Sequence, residues 1–496
     1  VPNAPTPSLL IRADASVHAG TGHVMRMLAL AQAWQRRGGQ VHLLSHTLPH
    51  QLAQRVAAEA VVLHHLDAAA IVSGATDQRS TIDLAHHVGA TWVVADGYGF
   101  TSEFQTAIRR ASLRLTMVTD FDYCREWSAD RIVNQNPHAS REPYRCDVGD
   151  CQRLFGTRYV LLRREFVTAR EATEGQGLLD RPRRLLVTLG GSDAENVTGE
   201  ILEVLARLDT EPIDVRVLVG MANPHHKALQ QHADLSPHKV EILSGVDDMP
   251  AQYQWADGVL TAGGSSCWEW MYFGLPAAVI VIAENQQPIY DELVEHQVAI
   301  GLGHPQQVDI ASLQEFVQSL TTEAGDLNRF RNWVDGYGAD RIASAMGSGV
   351  WLRRATATDC RLYFDWANDP TVRNNSLQSS MIAWEEHCEW FCEQIARDDR
   401  RLFLSIRGEQ PVGQVRMSLT PDREWQLGFS VAAEARGSGL GGEILRLGIA
   451  AMRNEGEHDF VATVKQANVA SAKCFERLGW KRTQLDQTYQ YRSEEQ

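Results

Sequence analysis

"RRLLVTLGGSDAENVTGEILEVLARL", from Arg183 to Leu208, runs from a short apolar stretch through paired glycines into a segment with helical spacing. A strand that ends in a glycine turn and opens a helix is the repeating unit of a doubly wound α/β sheet. The turn also presents free amides to an anion. The same pattern continues downstream, where "DVRVLVG", "KVEILSGV", "GVLTAGGSS" and "AAVIVIA" read as strands with helices between them. It also precedes Arg183. From Leu9 to about Ala169, "SLLIRAD", "QVHLLSH", "ATWVVADGYG", "RLTMVTDFDY" and "RIVNQNP" read as strands, and "HVMRMLALAQAWQRRGG" as a helix closed by glycines. Near-continuous apolar strands alternating with helices predict parallel sheets covered on both faces. Two such Rossmann-type domains in tandem predict a ligand in the cleft between them, at the carboxyl ends of the strands.

The third region has a different pattern. "RLFLSIRGEQPVGQVRMSL" and "EWQLGFSV" read as consecutive antiparallel strands. A glycine turn and helix follow ("AAEARGSGLGGEILRLGIAAM"), then a strand "DFVATVK", a helix "NVASAKCFERLG" and a strand "WKRTQLDQTYQYR". The expected division is 1–169, 170–347 and 350–496, with a short link around "RIASAMGSGVW". Three domains suit a chain of 496 residues.

Composition narrows the function. A net charge of −15 argues against nucleic-acid binding, which needs a basic face. The most apolar run, "PAAVIVIA" from Pro276 to Ala283, is too short to span a bilayer, so no membrane association is expected. The opening "VPNAPTPSLLIRAD" lacks the basic and apolar regions of a signal peptide. The 8 cysteines form no CxxC pair and read as reduced thiols of a cytoplasmic protein.

The glycine turns carry the candidate sites. Gly190, Gly191 and Ser192 form one phosphate turn; Gly263, Gly264, Ser265 and Ser266 form another. Glu269 lies one helical turn beyond, where a carboxylate can accept both hydroxyls of a ribose. In the N-terminal domain the small residues Gly20, Thr21 and Gly22 precede His23. If the second domain holds the nucleotide, as in the GT-B nucleotide-sugar enzymes that these paired turns resemble, this turn faces the sugar. His23 then acts as general base on a water attacking C1, since imidazole titrates near neutral pH. Asp14 either orients His23, binds a sugar amide or hydroxyl, or caps a strand end. Asp120-x-Asp122 has the spacing of a metal-binding DxD, but no further ligands support it and no metal is expected.

This arrangement resembles the GT-B nucleotide-sugar enzymes. The ordered set "IRADASVHAGTGHVMRMLALA", "VTDFDY", "IVNQNP", "FGTRYVLLRREF", "VTLGGSD", "TAGGSSCWE", "ENQQ" and "DGYGADRIA" is similar, over about Leu9 to Ala345, to the UDP-sugar hydrolases of the pseudaminic-acid pathway (the PseG family). The resemblance implies metal-independent, inverting release of UDP from UDP-2,4-diacetamido-2,4,6-trideoxy-β-L-altropyranose, with His23 catalytic. It places Tyr98 and Asn285 facing the sugar or water. "VTDFDY" departs from the adjacent aspartates common in that family.

The C-terminal region resembles the GNAT acetyltransferases. Arg436, Gly437, Ser438, Gly439, Leu440 and Gly441 match the pyrophosphate loop for coenzyme A, and Asn468 and Ser471 the second cofactor-binding segment. Acetyl-CoA is the implied co-substrate. Phe475 stands where many members carry a tyrosine that protonates the leaving thiolate. Water, Cys474, Tyr489 or Tyr491 can replace it, or no acid is needed; Glu424 and Glu434 are candidate bases. "EEHCEWF" and "NDPTVRNNS" resemble the substrate-side segments of the PseH-like branch. Together the resemblances imply a bifunctional enzyme that acetylates the 4-amino group of UDP-4-amino-4,6-dideoxy-N-acetyl-β-L-altrosamine and then releases UDP. Association with other pathway enzymes fits this role. The alternatives are a GT-B glycosyltransferase or hydrolase of a different UDP-amino sugar fused to a GNAT domain acting on another amine, or a domain that only senses acetyl-CoA.

Overall fold

The computed structural model describes residues 7–15, 20–66, 71–171, 181–190, 193, 195–220, 223–320 and 329–493. They form two compact units. One comprises residues 7–32 and 41–339; the other includes 33–40 and 340–493.

The first unit holds two sheets. Strands β1 (Ser8–Ala13), β2 (Gln40–Ser45), β3 (Val62–His65), β4 (Ala90–Asp96), β5 (Arg114–Val118), β6 (Arg131–Asn134) and β7 (Gln152–Phe155) lie in the order 3-2-1-4-5-6-7. All six residues of β1 are buried, as a strand covered on both faces requires. Strands β8 (Arg184–Thr188), β9 (Asp214–Val219), β10 (Lys239–Ser244), β11 (Gly258–Ala262), β12 (Ala277–Ile280) and β13 (Ile300–Gly301) form a second, parallel sheet in the order 10-9-8-11-12-13. Leu185, Val187, Val215, Val217 and Leu260 are buried on one face of it, and Leu186, Val259 and Val279 on the other. The expected strands are present. The sequence reading did not include β3, β7 and β13, which are edge strands: β3 is largely exposed, and β13 has two residues.

The second unit is built on a mixed sheet. Strands β14 (Val350–Arg354), β15 (Arg400–Arg407), β16 (Gln410–Leu419), β17 (Trp425–Val431), β18 (Phe460–Lys465), β19 (Lys481–Leu485) and β20 (Thr488–Arg492) lie in the order 14-15-16-17-18-20-19. The helix Leu440–Asn454 packs on one face so closely that a Cβ on Gly448 would stand 2.9 Å from Val415 and Met417. Residues 33–40, the last turn of the helix Gly22–Arg36 and the bend after it, pack here too. Buried Arg37 donates to the Val350 carbonyl at 2.6 Å and lies 3.6 Å from Glu443. The expected single strand "WKRTQLDQTYQYR" is instead a hairpin, with Leu485 paired to Thr488 across Asp486 and Gln487. The Gln466 side chain donates to the Leu485 and Asp486 carbonyls at 3.3 and 2.8 Å, closing a turn that has no glycine to announce it.

Candidate active sites

In the first sheet the strand order reverses between β1 and β4, so the loops after these two strands open onto one crevice. The loop after β1 leads through Gly20, Thr21 and Gly22 into the helix Gly22–Arg36. Gly20 has φ +73° and open space where a Cβ would stand. β4 ends in Asp96, and the loop after it carries Tyr98. His23 Nδ1 lies 2.8 Å from Asp96 Oδ1, and its ring packs edge-on to Tyr98 at 4.8 Å. Arg26, one turn further along the helix, donates to both oxygens of Asp96 at 2.6 Å and to Asp120 at 2.5 Å. Asp120 accepts the Tyr98 hydroxyl at 2.6 Å.

The network sets the chemistry of His23. Burial by itself pushes the Asp96 and Asp120 carboxyls up; Arg26 beside both, and His23 beside Asp96, hold them below their ordinary range. An ionised Asp96 accepts a hydrogen bond from Nδ1–H, and in that tautomer Nε2 keeps its lone pair, as a general base needs. Burial and Asp120 push the Tyr98 hydroxyl up, so it stays a donor.

Asp14 does not orient His23. It accepts the His46 amide at 2.7 Å and the Ser45 hydroxyl at 3.2 Å, and pairs with Arg12 at 2.8 Å, which ties the end of β1 to the loop after β2. Asp120 and Asp122 do not converge: Asp122 accepts from the Trp127 indole at 2.6 Å and the Tyr144 amide at 3.1 Å. Among the described residues no group of three His, Cys, Asp or Glu side chains is placed to hold a metal ion.

The second sheet reverses order between β8 and β11. Gly190, after β8, has φ +104° and open space around it; Gly191 and Ser192 lie outside the described residues. After β11, Gly263 to Ser266 lead into the helix Cys267–Tyr272. Gly263 is packed: a Cβ there would meet the Gln286 carbonyl at 3.3 Å. Gly264 has more room: a Cβ there would stand 3.9 Å from the Gln286 side-chain amide. Ser265 is exposed, and the Ser266 hydroxyl lies 3.4 Å from that of Thr261. Asn285 is exposed in the 3-10 turn Glu284–Gln286 that supports these glycines. Glu269 accepts the Tyr253 hydroxyl at 3.1 Å, and Arg163 lies 3.5 Å from its other oxygen. Burial pushes the Glu269 carboxyl up against the pull of Arg163 and Tyr253. The two halves meet here, since a Cβ on Gly22 would lie 4.0 Å from Ser265 Oγ.

Four residues of this crevice were not singled out from the sequence: Asp96, Arg26, Tyr253 and Arg163. Asp96 ends an apolar run and Arg26 follows His23 at i+3, signals of position that spoke less clearly than a glycine pair.

In the second unit β17 and β18 pair in parallel only from Trp425/Phe460 to Leu427/Ala462. Both strands continue, to Val431 and Lys465, so the sheet opens into a gap. The loop after β17 leads to Gly437 and Gly439, both at φ +79° with open space where a Cβ would stand. Gly439 starts the helix Leu440–Asn454, and buried Leu440 anchors it. Arg436 fixes the loop through the Val431 carbonyl at 3.1 Å and Asp369 at 2.7 Å; Ser438 donates to the Ala435 carbonyl at 2.6 Å. Gly441 answers a different need, because a Cβ would come within 3.0 Å of the Phe429 ring and 3.2 Å of Cys474 Sγ. Asn468 caps the helix Val469–Arg477 by accepting the Ser471 amide at 3.1 Å.

Phe475 is a core residue, stacked on Tyr491 at 5.3 Å. Tyr491 is buried and its hydroxyl donates to Glu476 at 3.4 Å. Tyr489 and Cys474 are half-buried, and burial pushes the Cys474 thiol up. Glu424 pairs with Arg492 at 2.9 Å just before the closed end of β17, away from the gap. Glu434 is exposed in the turn before the glycine loop.

These sites define a GT-B-like pair of parallel-sheet domains followed by a GNAT acetyltransferase domain. Residues 184–330 match the glycosyltransferase family 28 C-terminal domain, and residues 350–481 the acetyltransferase (GNAT) domain. The chain therefore joins a glycosyltransferase-28-like domain to an acetyltransferase domain, a pairing that implies nucleotide-sugar and acetyl-CoA substrates. It is 22% identical over 488 residues to an uncharacterized protein of Methanocaldococcus jannaschii, covering 96% of this chain and 97% of that one. It is 28% identical over 200 residues to the spore coat polysaccharide biosynthesis protein SpsG of Bacillus subtilis, covering 38% of this chain and 57% of that protein. Among solved structures, MurG of Acinetobacter baumannii is 16% identical with a TM-score of 0.49, covering 69% of this chain and 99% of that one. Spermidine N-acetyltransferase of Vibrio cholerae, in complex with CoA and spermine, is 15% identical with a TM-score of 0.27, covering 29% of this chain and 94% of that one. No helix of the described residues is long and apolar enough to cross a membrane.

Proposed function

We propose that the chain is a cytoplasmic bifunctional enzyme of nucleotide-sugar metabolism. Its GNAT domain acetylates the 4-amino group of a UDP-linked amino sugar from acetyl-CoA. Its GT-B half hydrolyses the diacetamido product and releases UDP with inversion at C1 and without a metal. The pseudaminic-acid precursor is the substrate that the sequence resemblance favours. The observation that carries the hydrolase reading is His23, bonded through Nδ1 to Asp96 and standing 2.8 Å from it at a glycine turn opposite Ser265.

In this reading Glu269 accepts the ribose hydroxyls and the second-domain amides, those at Gly190 and Gly264 among them, stabilise the departing diphosphate. Nε2 of His23 takes a proton from the attacking water, while Asp96 steadies the imidazolium that forms. Tyr98 donates toward Asp120 and presents its ring beside the sugar. In the GNAT domain the Gly437–Gly441 amides take the pyrophosphate of acetyl-CoA, and the gap between β17 and β18 takes its thioester arm.

Mass spectrometry of products from the UDP-4-amino sugar, with and without acetyl-CoA, tests the reading. Free diacetamido sugar and UDP are expected only when acetyl-CoA is present. A glycosyltransferase is the second reading, favoured by the family-28 match of residues 184–330. UDP release that depends on an added acceptor would select it.

A further inference from the structure

Among the described residues Arg416 is a cation without a counter-ion. It lies on β16 between Val415 and Met417, both of which face the helix Leu440–Asn454. Alternation along a strand therefore sends Arg416 to the opposite face. There its guanidinium carbon lies 5.9 Å from the Trp390 ring, on the helix Trp384–Ile395. Arg416 pairs across the strands with Gly428, and one guanidinium nitrogen is 3.6 Å from where a Gly428 Cβ would stand. A larger residue at 428 would crowd that nitrogen. Gly428 is also the first residue of β17 beyond its pairing with β18, so Arg416 sits where the sheet opens.

Among the described residues no carboxylate pairs with Arg416. Burial pulls its guanidinium below the ordinary arginine range; Tyr363 opposes this, and the like charge of Arg373 adds to it. Among the described residues Arg373 is itself held by neutral groups, the carbonyls of Gln378 and Ser380 at 3.4 and 3.2 Å and the Ser376 hydroxyl at 3.3 Å. Its Nε is buried without a partner among the described residues. Among the described residues these two half-buried guanidiniums have no acid beside them, so their summed positive charge favours an anion at this face. The phosphates of coenzyme A do not fill this need in our reading. They belong at the glycine loop, which starts the helix packed on the other face.

We infer that Arg416 binds an anionic group of the acetyl acceptor, a phosphate or a carboxylate, at the mouth of the gap between β17 and β18. The inference rests on the reading of this domain as an acetyltransferase and names what its acceptor must carry. A phosphate would come from a sugar still linked to its nucleotide, which puts acetylation before UDP release. A carboxylate would mark a sugar acid or an amino acid.

The test uses the full chain and compares Arg416→Met, which keeps length but removes charge, and Arg416→Lys with the wild type. Acetyl-transfer kcat/KM is measured on the UDP-linked 4-amino sugar, on the same amino sugar as its methyl glycoside, and on an amino-sugar carboxylate. Loss of a charged hydrogen bond predicts a fall of about 10- to 100-fold on the anionic acceptor in Arg416→Met, with partial recovery in Arg416→Lys and no change on the methyl glycoside. An equal fall on all three, or none on any, overturns the inference. Preference for the carboxylate keeps the anion site and overturns the UDP-sugar reading.

Thermal unfolding without ligands gives a readout independent of any acceptor. An unpaired cation held for function predicts that Arg416→Met is as stable as wild type or more so. A clear drop in its Tm would show a structural role and overturn the inference even if none of the three sugars is a substrate.

Discussion

His23, Asp96, Arg26, Asp120 and Tyr98 act as one unit, and their charges decide what each can do. Asp96 is fully buried and accepts from both Arg26 and His23, so Asp96→Ala leaves the buried guanidinium to Asp120 alone. A loss of about 1.5–3 kcal/mol is expected, read from denaturant unfolding. The sign with pH also follows. Both aspartates are held below their ordinary range in the fold, so their contribution is present at neutral pH and lost as pH falls through their folded values. The stability gap between wild type and Arg26→Met is therefore largest near neutrality and closes in acid; a gap that widens in acid would contradict the network. Glu269→Ala should weaken UDP binding by about 1.5–3 kcal/mol, measured by calorimetry, through loss of a charged acceptor for the ribose. At this scale His23 and Glu269 stand out in the sequence as candidates because each sits at a fixed offset from a glycine turn. Asp96 was not legible as the partner of His23, since 73 residues separate them and only the pairing of β1 with β4 brings them together.

At the scale of elements, strand ends do the placing. Both parallel sheets reverse order beside their first strand, and the candidate residues follow those strands directly. This was readable because fully buried strands are near-continuous apolar runs. The edge strands β3 and β7 are short and partly exposed, and the β19–β20 hairpin turns through Asp486 and Gln487, so each lacked its usual signal. The GNAT loop depends on left-handed backbone at Gly437 and Gly439. Asn468→Ala removes a helix cap and should cost about 0.5–2 kcal/mol in thermal or denaturant unfolding, whatever it does to acetyl-CoA binding. No loss would mean that the Ser471 amide finds another acceptor.

For the whole molecule, the central claim is that one chain carries two chemically separate sites. The measurement that tests it most directly sets two variants against two half-reactions, with folding verified by a cooperative thermal transition. His23→Asn should slow UDP release from the diacetamido UDP-sugar by about 100- to 10,000-fold, the usual worth of a positioned base, and leave acetyl transfer nearly unchanged. Gly439→Val should abolish acetyl transfer, because a branched residue strains the φ of +79° and blocks the loop amides, and should leave UDP release intact. That crossed pattern is the result the account predicts. A folded variant of either kind that loses both activities would contradict it.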